Sequence, residues 1–175
     1  MSINNNHNNW NNNMTKKASY PLEIILNLNY RLFLNALKGV TDEQAKERLS
    51  DHNNSLIWVA THIVWARYSI TKLLGKPGNN PYLGMFENFK PLDASMKFPT
   101  LDKVKAEWKT VSDLLKEGFV SATDEFMESE SPFKSPIGDN SFTGAIAFLT
   151  EHESYEIGQL GLLKKLHTKE AMSYD

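Results

Sequence analysis

Residues 152–165 read H-E-S-Y-E-I-G-Q-L-G-L-L-K-K and place an imidazole, a carboxylate and an amide at His152, Glu156 and Gln159. Residues four apart on an α-helix differ by about 40° in azimuth and about 6 Å in height, so His152 and Glu156 project from one helical face. That is half of a metal site, and another segment must supply the remaining ligand. Gln159, one turn further on, can hydrogen-bond a ligand or substrate from the same face. A second histidine with a distinctive setting is His62, in L-I-W-V-A-T-H-I-V-W-A-R. Trp58, His62, Trp65 and Ser69 fall at i, i+4, i+7 and i+11, so one helical stripe carries two indoles with a histidine between them.

Together, His62, His152 and Glu156 would give a divalent ion three protein ligands and leave positions open for water or substrate. An ion with open positions lowers the pKa of bound water towards neutrality, or ionises a thiol, so hydrolysis and metal-assisted group transfer both suit the donor set. The same residues support a metal-free reading. Glu156 would then form a hydrogen-bonded ion pair with His152, and His62 would be a packed core residue whose ring nitrogens are met by water or a hydroxyl. Tyr155 and Trp58 read as core or interface aromatics. His7 lies in an asparagine tract and His52 in the polar break S-D-H-N-N, and both read as solvated.

Helices must hold these side chains in place. Leu22, Ile25, Leu26, Leu28, Leu32, Phe33 and Leu37 recur as one broad apolar face, which predicts a first long helix ending near Gly39. Thr41-Asp42-Glu43-Gln44 carries N-cap and first-turn signals ahead of a short helix over 45–49. Asn53, Asn54 or Ser55 can cap a second long helix that runs through His62 to Gly75. Four prolines and three glycines then make residues 75–99 a connection, whose Tyr82, Leu83, Met85, Phe86 and Phe89 call for burial across one end of the fold. A third long helix starts at Thr100 or Asp102 and carries Leu101, Val104, Trp108, Val111, Leu115 and Phe119 at three-four spacing. After an acidic connection over 121–142, Ser141 or Thr143 opens the last helix, which holds His152, Glu156 and Gln159.

Four long amphipathic helices without an alternating strand predict an all-α four-helix bundle. The chain of 175 residues divides into an asparagine-rich tail over 1–18, one bundle domain over 19–168 and a short tail over 169–175. A formal charge of −2 offers no basic field for nucleic acid. Having no cysteine excludes thiolate metal sites and cysteine nucleophiles, so a metal must be held by histidine, carboxylate or water. No signal-peptide core and no window of about 18 apolar residues is present, so the protein reads as cytoplasmic with no membrane partner.

Three stretches carry a resemblance: N-N-S-L-I-W-V-A-T-H-I-V-W-A-R at 53–67, Y-L-G-M-F-E-N at 82–88 and H-E-S-Y-E-I-G-Q-L-G-L-L-K-K at 152–165. In this order the chain resembles the DinB-like superfamily of four-helix-bundle proteins, over nearly everything after the asparagine-rich tail. The resemblance implies an up-down-down-up bundle, a homodimer, and a divalent metal such as nickel or zinc. The ligands would be one histidine of the second long helix and an H-x-x-x-H pair of the last. These map onto His62 and His152, while the family's third histidine falls on Glu156, a departure. With a carboxylate there, the site would prefer nickel less and tolerate zinc, iron or manganese more, or else it has lost its metal. Thiol-dependent transferases and isomerases among the relatives imply a low-molecular-weight thiol as co-substrate and a small-molecule substrate. The alternative is a metal-free dimeric structural or binding module.

Overall fold

Hydroxyl side chains set where the long helices begin. In the computed structural model, which describes residues 17–87, 92–93 and 95–175, the helices are Tyr20–Leu37 (α1), Asp42–Lys46 (α2), Leu56–Leu73 (α3), Leu83–Phe86 (α4), Leu101–Ser121 (α5), Asp124–Glu128 (α6) and Phe142–Thr168 (α7). Ser55, Thr100 and Ser141 each accept a hydrogen bond from the backbone N–H three residues on, which satisfies one of the free donors at the starts of α3, α5 and α7. Gly39 and Gly75 take positive φ just past the ends of α1 and α3, a conformation that costs glycine little. The short helix expected over 45–49 lies at 42–46 instead. Thr41 and Gln44 form a reciprocal capping box that starts it at Asp42, and the backbone is already extended at Glu47.

The architecture is all-α, with no strand among the described residues. The nearest approach to one is an isolated antiparallel bridge between Glu130 and Ser141, flanked by backbone hydrogen bonds from Ser131 to Asn140 and from Phe142 to Ser129. It closes the connection ahead of α7. Cross-helix contacts fix the directions of the long helices. Asn29 meets Glu153 and Asn35 meets Lys164, so α1 and α7 run the same way. Tyr68 meets Glu107 and Leu74 lies against Gly118, so α3 and α5 run together. His62 meets Glu156 while Arg67 meets Glu153, which sets α3 against α7. None of the described helices is long and apolar enough to cross a membrane.

Two apolar clusters fill the interior. The larger joins α1, α3, α5 and α7 around Phe33, Ile63, Trp108 and Leu160, and the smaller lies towards the other end around Leu26, Ile70, Phe119 and Ile146. Between them sits a buried polar knot. Arg67 donates to both oxygens of Glu153 at 2.8 and 2.6 Å, to Ser112 Oγ at 2.7 Å and to the Leu26 carbonyl at 3.1 Å. Its guanidinium also lies 3.6 Å above the centre of the Trp108 ring. All four long helices contribute to this knot, so both buried charges are met, as burial demands.

Tyr68 of α3 donates to Glu107 of α5, and burial followed by that hydrogen bond pushes its phenol well above the usual tyrosine range. Burial, then the charge of Glu107, pushes neighbouring Tyr82 up to about 12. After α7, Lys169 turns the chain through a left-handed conformation, and Asn35 donates to main-chain oxygens of Ser173 and Asp175, tying residues 170–175 to α1.

Candidate metal centre

Helix α3 presents His62 on the stripe that also carries Trp58 and Trp65, and the three rings stack. The imidazole lies 5.0 Å from Trp58 at 9° and 5.3 Å from Trp65 at 29°, with the edge of Phe86 from α4 at 5.0 Å. Residues four and three apart on a helix bring ring faces together in this way, so the two indoles hold the imidazole plane. Helix α7 brings His152 and Glu156 to the same place from the other side. The two imidazoles meet edge to face with centroids 5.7 Å apart.

Glu156 sits beneath both. Its Oε1 lies 2.6 Å from His62 Nδ1, and its Oε2 lies 3.6 Å from His152 Nε2, too far for a hydrogen bond. Side-chain exposure rises from 6% at Glu156 to 16% at His62 and 36% at His152, so the carboxylate forms the floor and His152 the open side. Oε2 of Glu156 is buried and has no hydrogen-bond partner. An unpartnered carboxylate oxygen away from water is costly, more so than a neutral group, and it marks a place where a cation or a donor is missing. One ligand atom from each of His62, His152 and Glu156 can be chosen so that all lie within 4.8 Å of one another. Two ligands bonded to one zinc-sized ion at about 2.0–2.2 Å lie no more than about 4.4 Å apart, a span close to that of these three donors. Two imidazoles and a carboxylate therefore fit a divalent ion both in chemistry and in spacing.

His62 and His152 line a cavity of about 950 Å³, whose walls are largely apolar and include Trp58, Trp65, Phe86, Phe133 and Phe148. Phe148 stacks on Phe133 at 6.1 Å and on His152 at 6.3 Å, so an aromatic wall leads to the exposed histidine.

Sequence spacing brought forward His62, His152 and Glu156, and the fold gathers all three. Gln159 is half-buried one turn along α7 and is not among the residues lining the cavity. Tyr155 is 64% exposed on the outer side of α7. His52 is exposed in the connection before α3, and His7 lies outside the described residues, as does Phe89. Sequence reasoning passed over Arg67 and Glu153, although a charged residue inside an otherwise apolar helical run is a signal for buried pairing. Phe133 was expected only to anchor the connection over 121–142 and Phe148 only to pack from the last helix; their convergence depends on how the connection before α7 closes.

A family model described as the DinB superfamily matches residues 25–160. Among solved structures, a conserved protein from Enterococcus faecalis is similar at a TM-score of 0.69 and 12% identity, over 89% of this chain and 100% of that one. At that identity the likeness is one of fold. None of the curated proteins matches the chain.

Proposed function

Since this chain belongs to the DinB superfamily, we propose that it holds one divalent ion through His62, His152 and Glu156 and acts on a small molecule as a metal-dependent hydrolase or thiol S-transferase. The single observation that carries the reading is the buried, unpartnered Oε2 of Glu156 facing two imidazoles. When bound, the ion supplies Lewis acidity that favours ionisation of a water or thiol on its open positions.

The protein's own groups supply the rest. Trp58 and Trp65 hold the His62 ring with its Nδ1 turned towards Glu156 Oε1, so that these two donors would face the same ion. His152, the most exposed of the three, is placed to meet whatever enters the cavity. The largely apolar walls beside these groups strengthen electrostatic interactions there. A carboxylate at 156, where the resemblance implies histidine, adds an oxygen donor and shifts preference from nickel towards zinc, iron or manganese.

The short His62–Glu156 contact also favours a second reading, in which the pair is a closed hydrogen bond in a metal-free binding module. Elemental analysis of protein purified and dialysed without chelator separates the two. Close to one equivalent of metal is expected. Absence of zinc, nickel, manganese and iron, with no gain in melting temperature on adding them, would overturn the metal reading. Thiol-dependent transfer, if present, must be lost in His62→Ala and His152→Ala.

A further inference from the structure

The cavity lined by His62 and His152 extends along α3 from Trp58 to Lys72 and Leu73. His62 and Lys72 are ten residues apart on one helix, so about 15 Å of helix axis separates them. Between them the lining from α3 is Trp65, Ala66 and Ser69, with Phe142 and Leu149 contributed by α7. No carboxylate lines the cavity among the described residues, and Lys72 is its one permanent charge. Lys72 is exposed and its ammonium forms no hydrogen bond or ion pair among the described residues, whereas Lys76, one turn on, approaches Glu117 at 3.9 Å. A volume of about 950 Å³ lies at the top of the range for small-molecule sites, about 300–1,000 Å³, and far exceeds what an ion and its waters need.

We propose that the ligand of this cavity is an elongated apolar monocarboxylate of the fatty-acid type, its carboxylate meeting Lys72 and its chain lying along the aromatic walls towards His152. A single lysine matches a single carboxylate, whereas a phosphate calls for several converging donors. The long apolar wall supplies most of the affinity by removing hydrocarbon from water, and Lys72 sets the direction in which the chain lies. The inference deepens the metal-site reading by naming a class of molecule, and it rests on that reading only for where reaction would occur.

The test is calorimetric titration of dodecanoate, with dodecanol as the neutral control, into the full chain and its Lys72→Gln and Lys72→Glu variants, each with zinc added and after chelation. Lys72 is a surface residue, so the variants are expected to melt as the parent does. The expected result is dodecanoate binding that weakens about tenfold or more in Lys72→Glu and less in Lys72→Gln, as loss and reversal of a partly desolvated charge contact imply. Dodecanol binding should stay within about twofold of the parent, and chelation should change dodecanoate affinity by less than about threefold. Equal dodecanoate affinity in parent and Lys72→Glu, or no binding of either probe, overturns the proposal. If chelation alone abolishes dodecanoate binding, the carboxylate sits on the ion; the proposal then falls and the metal reading stands. Lys72-dependent binding in a protein that takes up no zinc, nickel, manganese or iron when they are added supports the proposal, while the metal reading fails on its own test.

Discussion

Glu153 and Glu156 lie three residues apart on α7 and are both buried, yet only Glu153 has both oxygens partnered. Arg67 takes its Oε1 and Oε2, and Asn29 adds a second bond to Oε1. Glu156 has one oxygen against His62 and the other without a hydrogen bond, 3.6 Å from His152 Nε2. The fold thus finishes the polar network around one carboxylate and leaves its neighbour open, beside two histidines that line a cavity.

Metal should stabilise the folded chain by mass action. At a free concentration of zinc a hundredfold above its dissociation constant, the gain is about 2.7 kcal/mol, which for a chain of this size raises the melting temperature by about 5–10 °C. In Glu156→Gln one anionic ligand is lost, so the same zinc concentration should give a much smaller rise. Thermal melts of both proteins with and without zinc read this directly, and equal rises would show that Glu156 is not a ligand.

Substitution Glu156→His replaces an oxygen donor by a nitrogen donor. Competition titrations should then show nickel gaining on manganese by about tenfold or more, following the preference of imidazole sites for nickel. An unchanged ratio would mean that position 156 does not face the ion.

Removing one side of the buried ion pair should be far worse than removing both. Arg67→Met leaves the Glu153 carboxylate buried without its charge partner and should cost about 3–5 kcal/mol in urea denaturation. The double variant Arg67→Met with Glu153→Leu should recover much of that loss, because no unpaired charge remains. A double variant as unstable as the single one would place the cost in lost packing on Trp108.

Alkaline stability should report Tyr82. Its phenol ionises near the ordinary value of 10.0 in the unfolded chain and at about 12 in the fold, where burial and then Glu107 disfavour the charged form. Between those values the folded state binds more protons than the unfolded one, so stability is intact below the lower value and falls as pH rises towards the upper. Tyr82→Phe removes this contribution, and urea midpoints followed across that window should decline less steeply than in the parent.

The helical plan was legible because its signals are local. The apolar three-four spacing of Leu101 to Phe119, the caps at Ser55, Thr100 and Ser141, and the glycine stops at 39 and 75 act within a turn or two, where sequence distance and spatial distance agree. The pairing of His152 with Glu156 on one face follows from helix geometry alone, and so does the Trp58–His62–Trp65 stripe. The short helix at 42–46 was misplaced because a capping box outweighed the apolar residues after it.

What only tertiary structure decided is how faces from distant segments meet. His62 and Glu156 are 94 positions apart, and their 2.6 Å contact exists because α3 and α7 pack antiparallel with these stripes facing each other. Whether Glu156 would pair with His152, bond His62 or stand open could not follow from spacing. Spacing fixes azimuth on one helix, and burial and partners depend on the neighbour. The same holds for the Arg67–Glu153 knot and for the cavity from His152 to Lys72, whose walls come from α3, α4, α7 and the connections between them. Helix periodicity determined which side chains could act together, and helix packing decided which of them do.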